Sequence, residues 1–117
     1  MGDAVTLPLE IGSGAAREVQ TLFADAWRRL VVIRLRNNAI LAAHSAVTPI
    51  TIQCVLGAGT LNVEQTQYAL TPGVIVPVGA HVEHSVVAEP EIALLVTFFR
   101  QPAVSEQTSP SSTGMKI

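Results

Sequence analysis

The sequence predicts an all-β domain, and three observations carry that prediction. β-Branched residues are dense: 15 Val, 8 Ile and 10 Thr fill 33 of 117 positions, and such side chains suit a pleated, half-buried surface. Turn-forming residues recur at short intervals, at Gly12-Ser13-Gly14, Asn37-Asn38, Pro49, Gly57-Ala58-Gly59, Glu64-Gln65, Pro72-Gly73, Gly79 and Glu89-Pro90. Between them several segments alternate along a period of two, the rhythm of a sandwich or barrel.

Taken in order, the first predicted strand is 18–24, because the apolar pattern of the one helix candidate, Ala15 to Ala26, is broken too often. In 28–36 the odd positions Arg29, Val31, Ile33 and Leu35 are mostly apolar, which leaves Arg28, Arg34 and Arg36 on a solvated or interface face. Leu30 and Val32 interrupt any anion-binding patch there. Strand 39–45 follows Asn37-Asn38 and carries His44 near its end. In 50–56 the even residues Ile50, Ile52, Cys54 and Leu56 form the interior face, so Cys54 is predicted to be a small core hydrophobe. Gly57-Ala58-Gly59 reads as a hairpin turn, since it lacks the third glycine and the strand-to-helix setting of a dinucleotide fingerprint. Strands 60–64, 67–71 and 74–78 fit between the next turns, and Glu89-Pro90 separates 84–88 from 92–99. Both faces of 92–99 are apolar, so each needs a cover. A second copy in a two-fold homodimer supplies one; the alternative is the N-terminal strand of the same chain.

The size fits one domain, residues 1–100 with its core in 28–100, followed by a Ser-, Thr- and Pro-rich stretch, 101–117, expected to be a flexible tail. At 49% hydrophobic and 14% charged residues, with mean hydropathy +0.43, the chain is too apolar to stay unfolded. A net charge of −2 and a pI near 5.8 give no positive field for phosphates, so no nucleic-acid partner is expected. One cysteine precludes a disulfide framework and a multi-cysteine zinc site. No apolar run reaches the roughly 20 residues of a bilayer span, and Met1 to Gly12 has no basic leader, so a cytoplasmic protein without a membrane partner is expected.

The chemistry-bearing residues are few. His44, His81 and His84 each stand near the end or start of an apolar strand, and neutral imidazole is the commonest metal ligand. Ala42, Ala43 and Ala46 leave space around His44. Ser45 and Ser85 adjoin histidines, yet neighbours in a strand point to opposite faces and make no catalytic dyad. No two acidic residues have a spacing that would place them across a substrate.

The stretches Leu41–Leu61 and Leu70–Ala88 resemble the two motifs of the cupin superfamily, particularly its small single-domain members, and the likeness extends over about 28–100. The resemblance implies a double-stranded β-helix, a jelly-roll barrel, with a divalent metal held inside by histidines and a carboxylate. Gly57 takes the glycine of the first motif, which sets Ile50 at the carboxylate position; His44 lies one residue out of register with the histidine pair, beside Ala42 and Ala46. In the second motif Gly73 and His84 hold their places, while Gly79, His81 and Ala88 replace a proline, a glycine and an asparagine. The implied ligands are therefore His44 and His84, with His81 as a third from the turn, for Zn, Ni, Fe or Cu. Gln53 and Glu83 are substitutes for the lost carboxylate, Gln53 with the wrong parity for the interior. Two functions stay open: a metal-dependent enzyme acting on a small molecule, and a metal-free module that binds or senses a small ligand in the barrel.

Overall fold

Local turn chemistry sets the strand ends. Asn37 and Asn38 both take positive φ, 57° and 59°, and the Ala39 amide donates to the Arg36 carbonyl at 3.1 Å, a tight reversal that asparagine tolerates well. At Pro72-Gly73 the Val74 amide donates to the Thr71 carbonyl at 3.0 Å, with Gly73 at φ 99°. The structure, a computed structural model, describes residues 4–100; the expected tail at 101–117 lies outside the described residues. Its strands are β1 (Arg17–Ala24), β2 (Arg28–Leu35), β3 (Ile40–His44), β4 (Ile50–Val63), β5 (Thr66–Leu70), β6 (Ile75–Val78) and β7 (His84–Phe99). Among the described residues there is no helix, and so none long and apolar enough to cross a membrane.

Every pairing is antiparallel. β4 and β7 run side by side from Ile50 opposite Phe98 to Val63 opposite His84. Their first pairing region, 50–57 with 92–98, is extended by β6 beyond β4 and by β2 and β1 beyond β7. Their second, 59–63 with 84–88, is extended by β5 and β3. The molecule is thus two sheet halves that share two long strands, the jelly-roll arrangement that the cupin resemblance implies. Between the halves lie Val31, Ile33 and Leu35 of β2, Ile50, Ile52, Cys54 and Leu61 of β4, and Val86, Ala88, Ile92, Leu94 and Val96 of β7, all buried. Cys54 is fully buried; its Sγ lies 3.6 Å from the Leu56 carbonyl oxygen, and burial pushes the thiol pKa up.

Three expectations need correction. Gly57-Ala58-Gly59 is not a hairpin turn, because β4 runs through it. A Cβ on Gly57 would collide with the Glu91 carbonyl oxygen and one on Gly59 with that of Val87, so these glycines mark where the β7 backbone passes too close for a side chain. Nor does Glu89-Pro90 end a strand: β7 spans it, with an irregular register opposite Gly57 and Gly59. Arg36 is not solvated. It is 5% exposed, and its guanidinium donates to the carbonyls of Ile11 (2.8 Å), Gly12 (3.0 Å) and Ala15 (2.8 Å) and to Glu18, fastening segment 11–16 onto the end of β2.

The outer face of 92–99 is covered in part within one chain, since Val32 and Ala93 are fully buried while Leu95 and Thr97 are half-buried.

Gly57 and Gly73 separate backbone strain from steric collision. Gly57→Ala adds a clash to a left-handed conformation (φ 79°) and should cost about 2–5 kcal/mol. Gly73→Ala, in open space, should cost only about 1–2 kcal/mol. Urea unfolding of both variants measures the difference, and equal losses would contradict the close β4–β7 approach.

Candidate functional site

His84 opens β7 on its interior face, in step with Val86 and Ala88, and is 2% exposed. His44 closes β3 and is exposed. Parity along β3 alone would turn His44 away from the core, because the buried Leu41 is three residues earlier. A bulge removes that conflict. Leu41 pairs with Val86 and His44 with His84, so three steps along β3 match two along β7. The extra residue restores His44 to the face of Leu41, and the two imidazole centroids lie 4.4 Å apart at an interplanar angle of 59°.

The same local device fixes both rings. His44 Nδ1 lies 2.8 Å from the Ala42 carbonyl oxygen, and His84 Nδ1 lies 3.0 Å from that of Val82. A carbonyl only accepts, so in the neutral form of each ring Nδ1 carries the proton and Nε2 the lone pair. Backbone carbonyls orient metal-bound histidines in this way. Burial, above all, holds His84 below the ordinary imidazole pKa, and the nearby His44 adds to that effect, while the bond to Val82 opposes it.

His81 sits elsewhere. It is exposed on the turn between β6 and β7 at φ 64°, with its amide donating to the Ala46 carbonyl at 2.7 Å. That bond ties the β6–β7 turn to the β3–β4 connection. No group of three or more His, Cys, Asp or Glu side chains able to hold a metal forms among the described residues, so His81 does not complete the pair into a three-ligand set. Ile50, at the place the resemblance reserves for a carboxylate, is buried in the core. Gln53 points outward, opposite Leu95 and Ile75, as its parity predicted, and Glu83 is exposed. The donor set is two imidazoles, which suits a borderline-soft divalent ion as part of its coordination but falls short of the three protein ligands of catalytic zinc.

Arg17 escaped the sequence reading. It lines a depression of about 270 Å³ together with Leu41, Ala42, Ala43 and His44. The paired alanines beside His44 signal open space, but only the sheet register brings β1 to that edge.

Comparison with known proteins gives the fold. No protein-family model matches the chain, and no curated protein does. Among solved structures, an RmlC-like cupin from Shewanella frigidimarina NCIMB 400 superposes at TM-score 0.69 with 26% identity, over 79% of this chain and 81% of that one. KdgF from Halomonas sp. superposes at 0.71 with 18% identity, over 86% and 96%. Salicylate 1,2-dioxygenase from Pseudoaminobacter salicylatoxidans, solved as adducts with gentisate, superposes at 0.68 with 19% identity, over 74% of this chain and 26% of that one. The protein is cupin-like, with a cupin jelly-roll fold.

His84 gives a signed pH prediction. Its folded pKa lies below the ordinary value of 6.5, so the unfolded chain binds more protons as pH falls below that value. The His84 contribution to stability is complete above pH 6.5 and diminishes on acidification toward the lowered folded pKa. Urea midpoints between pH 7.5 and 5, about the range in which imidazoles titrate, should fall in the wild type and fall less steeply in His84→Gln. Parallel slopes would show that His84 does not titrate differently on folding.

Proposed function

We propose that this cupin-like barrel takes up a divalent transition metal (Zn, Ni, Fe or Cu) on Nε2 of His44 and His84 and a small organic molecule beside it. The observation that carries this reading is the matched anchoring of both Nδ1 atoms on backbone carbonyls, which leaves two lone pairs on rings 4.4 Å apart. Such an ion would supply Lewis-acid polarisation of an oxygen on the bound molecule. The chain itself contributes orientation, through the Ala42 and Val82 carbonyls, and shelter, through the buried apolar residues behind His84. His44 and His84 would be the protein's share of such an ion's ligands, and two imidazoles would hold it less tightly than a closed four-ligand site. Solved neighbours include an enzyme with gentisate adducts, which supports a small-molecule ligand without naming one for this chain.

A second reading, a metal-free binding module, draws on the absence of a third ligand among the described residues and on Ile50 in place of a carboxylate. Elemental analysis and Zn²⁺ titration separate the two. The metal reading expects about one ion per chain, lost in His44→Ala and in His84→Gln but retained in His81→Ala. A wild-type chain that resists loading would overturn the metal reading and favour the metal-free module.

For the assembly, a two-fold homodimer would cover what stays open on the outer face of β7 and its neighbours: half-buried Leu95, Ile75 at 57% exposure and Phe99 at 43%. Light scattering at micromolar concentration should give twice the chain mass, and a monomer mass would overturn this arrangement.

A further inference from the structure

We infer that the small molecule bound beside His44 is a carboxylate, gripped by Arg17 at the open seam between β1 and β3. The inference rests on the reading of His44 and His84 as the binding site and adds the chemical class of the ligand. Arg17 pairs with Leu35 across β1 and β2, and Leu35 is fully buried, so Arg17 stands on the core-side face of an edge strand. It shares its depression with His44, over a floor of Leu41, Ala42 and Ala43.

Charge accounts for the preference. The ion pairs among the described residues are Arg28 with Asp25 and Arg36 with Glu18, so Arg17 has no carboxylate partner there. Its neighbour Glu18 faces the opposite side of the strand and is taken by Arg36. A guanidinium presents parallel N–H donors that match the two oxygens of a carboxylate, and the depression has room for a small acid. The imidazoles bring no negative charge to a bound divalent ion, so an anionic ligand also supplies the charge the protein omits. With or without the ion, Arg17 and His44 line the same depression.

The test uses malonate, malonamide and inorganic phosphate as probes, titrated into the 117-residue chain with and without Zn²⁺ and followed by backbone amide shifts. The expected result is saturable malonate binding with the largest shifts at Arg17, Ala42 and Ala43, weakened about tenfold or more in Arg17→Met, which keeps the aliphatic stem but removes the fork. Zn²⁺ binding by Arg17→Met should match wild type. Malonamide or phosphate binding as tightly as malonate, unchanged malonate affinity in Arg17→Met, or no saturable malonate binding to the wild type in either metal state would overturn the inference. Failure of the metal reading is distinguishable, because it appears in the Zn²⁺ titration while malonate shifts persist in the metal-free chain.

Discussion

The antiparallel pairing of β4 with β7 is the constraint on which the remaining structure depends. These strands belong to both sheet halves, so each must change direction where the other does. A side chain at the crossing would strike the partner backbone, which is why Gly57 and Gly59 face the carbonyls of Glu91 and Val87. Buried residues of β4 occupy even positions at 50, 52 and 54 but the odd position 61 beyond the crossing. An extra residue between Cys54 and Leu56 accounts for the change. The apolar core follows from that switch, since without it Leu61 would face water.

A second irregularity makes the site. One additional residue in β3 brings His44 opposite His84, and two short hydrogen bonds to backbone carbonyls then fix both tautomers. The rings have unequal surroundings: His84 is buried among apolar neighbours and His44 opens toward a depression shared with Arg17. A pair placed in this way has one buried member and one accessible member.

Arg36 shows how a buried charge organises a segment without secondary structure of its own. Residues 11–16 precede β1, and the guanidinium satisfies three of their carbonyls while Glu18 balances its charge. Burial of an unpaired arginine would be prohibitive, but here nearly every donor has an acceptor. The neighbouring arginines divide by strand face into different roles: Arg34 donates to Gln20 on the outer surface, and Arg29 lies over the Phe98 ring.

The sequence by itself determined the all-β class, the reversals at Asn37-Asn38 and Pro72-Gly73, the interior run through Ile50, Ile52 and Cys54, and the choice of His44 and His84 as candidate residues. Those features are legible because turn preferences and side-chain alternation are local, written within a few consecutive residues. Tertiary structure alone decided that Gly57-Ala58-Gly59 lies within a strand, that Arg36 is buried, that His81 stays outside the imidazole pair and that Arg17 joins the depression beside His44. Each depends on what another strand places opposite: a carbonyl of β7 against Gly57, the carbonyls of segment 11–16 around Arg36, and the extra residue of β3 facing two steps of β7. A bulge is a mismatch between two strands, so neither strand alone encodes where it falls.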